Sequence, residues 1–168
     1  MDSHCKHATR FALRIGALVV AITFILLGSV PASQNDPTNG TWLLDVDASK
    51  FNPGPGPQAQ TRIYKADGKN IKMIALTIDA QGKQLHIEYA GAYDGKDYPV
   101  TGNPRVETIA QERIDFYTVK TTTKRGGKVT QATTRVISQD GKTMTITASG
   151  TDEKGIAYSN SLVLRKVD

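Results

Sequence analysis

From Gly40 onward the chain is cut into short segments by glycine-centred turn signals. Asp67-Gly68, Gln81-Gly82, Asp94-Gly95, Gly102-Asn103-Pro104, Gly126-Gly127, Asp140-Gly141 and Gly155 mark the cuts. Glycine at such places supplies backbone conformations that other residues resist. The segments between are rich in Thr, Val, Ile and Tyr, which suit a pleated surface. Several alternate with a period of two. Leu85, Ile87 and Tyr89 share one face. Met144, Ile146 and Ala148 oppose Thr143, Thr145 and Thr147, and Tyr158, Asn160, Leu162 and Leu164 share a face near the end. Residues 71–78 change phase near Met73-Ile74, which predicts a bulge or a strand buried on both sides. No window offers a helical period or a capping box.

This pattern predicts an all-β chain of about nine strands, within a range of about 8–10, mostly joined by tight hairpins. Such a meander closes into a barrel or folds as a sandwich. An antiparallel up-and-down β-barrel is the expected architecture, because closure removes exposed edges; a β-sandwich is the alternative. Asn52-Pro53-Gly54-Pro55-Gly56-Pro57 is the exception to the tight turns. It cannot be strand interior, since proline has no N–H, so it is expected as an extended loop over one barrel end.

The first 32 residues follow a different rule. Met1 to Arg14 is polar and basic, Ile15 to Val30 is apolar and uncharged, and Val30-Pro31-Ala32 offers small residues for cleavage. This is the three-part design of a secretory signal peptide, with cleavage expected after Ala32. An uncleaved anchor is the rival reading, but the 16-residue apolar run falls short of the roughly 20 that span a bilayer comfortably. The protein is therefore expected to be exported, to a periplasmic or extracellular space. Residues 33–39 read as a polar, flexible leader, and residues 40–168 as one domain, within the usual size of roughly 100–150 residues.

Removing the signal removes much chemistry. Cys5, His4 and His7 leave with it, so the mature chain has no cysteine and one histidine, His86. A zinc site would need carboxylates for every other ligand, and a nucleophile–histidine pair would rest on His86 alone. His86 alternates with Leu85 and Ile87 and so faces away from them. Gly141-Lys142-Thr143 resembles the end of a phosphate-binding loop, but Val136 stands where glycine is needed and a strand follows. Asp45 and Asp47 start a calcium-loop pattern that fails at Lys50 and Gly56. No metal and no cofactor is expected, and the chain reads as a non-enzyme. The net charge of +5 falls to +3 once Lys6, Arg10, Arg14 and Asp2 are set aside, which is weak support for nucleic acid as a partner. Lys120, Lys124, Arg125 and Lys128 surround the Gly126-Gly127 turn and form a basic tip. It reads either as a solvated hairpin that discourages edge pairing or as a contact for an anionic surface.

Gly40-Thr41-Trp42 opens the first strand and Arg165 lies in the last. Together with GTWLLDVDASKFNPGP, YDGKDYPVTGNP at 93–104 and SQDGKTMTIT at 138–147, this resembles small secreted bacterial proteins of the lipocalin-like, calycin type. The resemblance implies barrel topology, with Trp42 and Arg165 packing together to close one end. Barrels of this type host many roles, so function must be argued from the site. A tyrosine presents an apolar ring and one polar tip, which suits a cavity wall. The expected ligand-binding residues are Tyr64, Tyr89 and Tyr158, with Arg135 as polar partner; Arg113 is a second strand arginine able to meet a carboxylate. The expected partner is a small apolar or amphipathic molecule such as a lipid, taken up by a monomer. A membrane enters only through an uncleaved N-terminal segment. A filled barrel serving as an envelope structural or protein-interaction module is the alternative.

Overall fold

A computed structural model describes residues 35–152 and 155–167. The signal-peptide assignment for residues 1–32 falls outside the described residues. Ten strands follow one another: β1 (Gly40–Asn52), β2 (Ala59–Asp67), β3 (Asn70–Ile78), β4 (Gln84–Ala92), β5 (Asp94–Thr101), β6 (Thr108–Arg113), β7 (Thr118–Arg125), β8 (Lys128–Ile137), β9 (Thr143–Thr151) and β10 (Ala157–Lys166). Each pairs antiparallel with the next, and β10 returns to β1. The result is a closed up-and-down barrel rather than a sandwich, with no helix among the described residues. Closure leaves no sheet edge to template aggregation.

A meander places alternate connections at opposite ends. The 53–58, 79–83, 102–107 and 126–127 connections, with residues 152 and 155–156, lie at one end, called here the mouth. The other connections and residues 35–39 lie at the opposite end, the floor. The interior is built by strict alternation. Trp42, Tyr64, Ile71, Met73, Ile137, Met144, Ile146 and Leu164 form one cluster, with Trp42, Met144 and Leu164 fully buried. Each large apolar chain so buried contributes roughly 1.5–3 kcal/mol.

Strand β3 corrects one expectation. It pairs without a bulge to both neighbours, and Ile71, Met73, Ala75 and Thr77 all point inward. The apparent change of phase arises because Ile74 and Leu76 are apolar on the outer face, with Leu76 50% exposed. The irregularity lies instead in β1, between Asp45 and Lys50. Three extra residues there are accommodated by Ser49, whose Oγ donates to the Asp45 carbonyl at 2.6 Å and accepts from Val163 N at 3.0 Å. Ser49 thus stands in for ladder bonds that the bulge interrupts.

Residues 36–39, within the segment 33–39 read as a leader, pack against the floor of the barrel. Thr38 is buried, and its carbonyl accepts the Trp42 indole N–H at 2.9 Å. Asp36 is ion-paired with Arg113, and Asn39 Nδ2 donates to the Ala66 carbonyl at 3.0 Å. The short polar side chains satisfy groups that would otherwise be stranded at the floor.

Candidate functional site

The barrel is not filled. A cavity of about 850 Å³ runs from the mouth into the interior. Its walls combine apolar chains (Met73, Ile87, Ile109, Ile146 and Leu162) with a polar set from β2, β4, β6 and β8. The Pro53–Pro57 loop forms part of its rim, as the missing proline N–H groups require. Phe51 lies flat against Gly56, where an added Cβ would come within 2.2 Å of the ring, so the loop is packed down on the aromatic.

The polar set is centred on Arg135. Alternation along β8 turns Gln131, Thr133 and Arg135 inward, and Arg135 is only 3% exposed. Its guanidinium lies 4.8 Å from the centroid of the Tyr64 ring and 6.0 Å from that of Tyr93. Nη2 donates to Tyr93 Oη at 3.0 Å and to Thr38 Oγ1 at 3.4 Å. Nε has no acceptor. A buried donor left unpaired costs about 1–3 kcal/mol, more when it belongs to an ion. Neither Arg135 nor Arg62, which also lines the cavity, has a carboxylate partner among the described residues.

Arg62 is held by its own strand and its neighbour. Its Nε donates to Gln60 Oε1 at 2.7 Å, and Gln60 Nε2 donates to Thr77 Oγ1 at 2.8 Å. Nη1 reaches Tyr64 Oη at 3.4 Å. Tyr64 therefore sits between two guanidinium groups. Burial alone would raise its phenol pKa, but the charges of Arg62 and Arg135 outweigh burial and hold it below the ordinary value of 10.0. Tyr89 responds the other way: burial, with Tyr64 beside it, pushes its phenol well above that value. For Arg135, burial opposes the charge, and the phenols of Tyr64, Tyr93 and Tyr89 outweigh that, so it stays a cation. Arg113 completes the group. Its guanidinium lies 4.1 Å from the Tyr93 ring centroid and pairs with Asp36, the one carboxylate this cluster contains among the described residues. Stacking on aromatic faces is how a guanidinium is held where water is scarce.

The expected site residues thus divide. Tyr64, Tyr89 and Arg135 converge on the cavity interior. Tyr158 does not join them: it lies at the mouth, where its hydroxyl accepts from Gln131 Nε2 at 2.8 Å. It fits there because Gly150 has no Cβ; one would sit 2.6 Å from the Tyr158 oxygen. Trp42 lies at the floor as expected, but Arg165 does not cover its indole. Leu162 and Leu164 face inward, so Arg165 must face out, where its Nε donates to Asp45 Oδ2 at 3.1 Å. The cation over the indole is Lys166, with Nζ 5.4 Å from the ring. His86 is exposed on the outer face of β4. Arg62, Tyr93 and Thr38 are not among the expected site residues. Arg62 had a signal, since it shares the face of Tyr64 two residues away.

A second depression, of about 720 Å³, is more open and lies along the floor-end portions of β1 to β4. No unpaired buried cation lines it, so the interior cavity is the stronger candidate. No family model matches the chain, and no curated protein matches it as a relative.

Proposed function

We propose that the protein is an exported, non-enzymatic, lipocalin-like carrier of a small amphipathic molecule with an anionic head. The apolar walls take the body of the ligand and the Arg135–Arg62–Tyr64 set takes its head. The observation that carries this reading is Arg135: a buried guanidinium, facing a cavity of about 850 Å³, with neither a carboxylate nor an acceptor for Nε among the described residues. A ligand carboxylate or phosphate would supply the missing acceptor and the missing charge, and such bonds are stronger than neutral ones. Desolvation of an alkyl or ring body would contribute about 25 cal/mol per Å² of apolar surface buried. The Gly40-Thr41-Trp42 opening of β1 and the ten-strand closure support the lipocalin-like assignment. The cavity volume favours a carrier over a filled structural barrel.

The experiment is native mass spectrometry of the protein purified from its host's envelope fraction, before and after solvent extraction. An additional mass that extraction removes, and that carries an acidic group, is expected. A bare protein that also fails to take up an anionic fluorescent amphiphile would overturn the reading.

A further inference from the structure

We propose that the mouth of the barrel docks on an anionic lipid bilayer. This goes beyond ligand binding and rests on a different observation, the distribution of charge over the outer surface and the apolar tips that stand within its positive end.

Alternate connections of the meander converge at the mouth, and so do their charges. Lys50, Lys83, Arg105, Arg125 and Lys128 lie in or beside the mouth connections, against Asp79, Glu107 and Asp152. Lys124 is also there, paired with Asp97 at 2.8 Å, and Arg105, Arg125 and Asp152 have partners as well, so it is the net charge of this end that counts. All three acids serve the local backbone, Asp152 Oδ1 accepting from Ile156 N at 2.8 Å. Asp79 Oδ1 accepts from Gln81 N at 2.9 Å and Lys83 N at 2.8 Å, and Glu107 Oε2 accepts from Gly126 N at 2.8 Å. Over the rest of the described outer surface, acids match or exceed cations. The net positive charge of the barrel exterior is therefore gathered at one end.

Exposed apolar side chains stand at both ends, Ile114 and Val167 at the floor among them, but only those at the mouth lie where the net charge is positive. Val129, beside the β7–β8 turn, is 61% exposed, and Ile156, before β10, is 51% exposed. Apolar tips set among lysines and arginines suit a surface that offers anionic headgroups outside and hydrocarbon beneath. A folded acidic protein would match the charge but would not require protruding aliphatic tips, so the bilayer is the partner the observations favour. Docking in this orientation points the cavity opening at the membrane. Arg105 and Ile156 line the outer part of that opening. A molecule leaving the bilayer would then enter the barrel without crossing water.

The test is flotation of the full chain with vesicles of phosphatidylcholine alone and of phosphatidylcholine with phosphatidylglycerol. The apolar segment from Ile15 to Val30, where retained, binds both compositions, so the difference between them is read. Wild type is expected to associate at least fivefold more with the anionic vesicles at low salt, and to lose that preference as sodium chloride rises past the physiological range. The triple variant Lys50→Glu, Lys83→Glu, Lys128→Glu is expected to lose the preference. The triple variant Lys69→Glu, Lys96→Glu, Lys142→Glu makes the same charge change at the floor and is expected to keep it. Equal losses in both variants, no preference in wild type, or a preference indifferent to salt would overturn the proposal. So would binding to soluble polyglutamate without binding to vesicles, which would assign the rim to an acidic protein. Uptake of an anionic fluorescent amphiphile in vesicle-free solution, measured on the same proteins, reads the cavity separately. The wild-type salt titration stands even where a variant folds poorly.

Discussion

Arg135 lies with its guanidinium 4.8 Å from the Tyr64 ring centroid, in a wall whose described residues supply it with phenols and a threonine but no carboxylate. A charge placed in this way is costly to the fold and useful to a ligand. Replacing it with an apolar chain of similar reach separates the two effects. Arg135→Met is expected to leave the thermal midpoint unchanged or raise it, since an ion without an opposite charge leaves the interior. Affinity for an anionic amphiphile is expected to fall tenfold or more, as charged hydrogen bonds are worth roughly 1.5–3 kcal/mol. Thermal unfolding and fluorescent displacement on the same sample check both. A variant that unfolds and binds no worse per folded molecule would show that Arg135 is structural.

Tyr64 and Tyr89 should separate in alkaline titration. The Tyr64 phenol is held below the ordinary value of 10.0, so its ionisation adds stability that is present above pH 10 and is lost as pH falls through its folded pKa. Tyr89 is raised, so it removes stability as pH climbs past 10, where the unfolded phenol ionises and the buried one does not. Ultraviolet difference absorbance is expected to show an early tyrosine step that Tyr64→Phe abolishes and Tyr89→Phe leaves in place. A bound anion should move that step to higher pH by neutralising Arg62 and Arg135.

The floor depends on residues outside any strand. Asp36 pairs with Arg113 beneath Tyr93. Asp36→Ala strands a largely buried guanidinium whose Nε already lacks an acceptor. A loss of about 2 kcal/mol is expected in urea unfolding. Adding Arg113→Met should return part of that loss, because the unpaired charge leaves as well. Equal losses in the single and double variants would mean that the pair is not what matters at this position.

Two glycines with positive φ should differ sharply. At Gly102 (φ +77°) a Cβ would sit 1.7 Å from the His86 carbonyl oxygen, which is backbone and cannot swing aside. At Gly126 (φ +55°) nothing lies within 4 Å. Gly126→Ala should cost about 1 kcal/mol, the penalty of the left-handed conformation alone. Gly102→Ala should cost well over about 2 kcal/mol, because the β5–β6 connection must shift away from β4. Urea midpoints for the pair decide between them.

Local chemistry was enough to draw the barrel. Turn glycines and alternating strands are properties of a few consecutive residues, and period two assigns a face without knowledge of the partner strand. Leu85, Ile87 and Tyr89 on β4 follow it, as do Leu162 and Leu164 on β10. The same rule, carried one residue further, turns Arg165 outward, and it would have paired Arg62 with Tyr64. It misled in β3, where the outward-facing Ile74 and Leu76 resemble core residues because an aliphatic side chain is tolerated on an outer face. What alternation cannot supply is distance along the barrel axis. Tyr158 and Tyr64 look equivalent as inward tyrosines, yet closure places one at the mouth and the other beside Arg135. The same closure brings Thr38 and Asp36 under β6 and β8, which lie 77 and 97 residues away along the chain. Those contacts are set by the register of ten strands around a ring, a property of the whole sheet that no single segment carries.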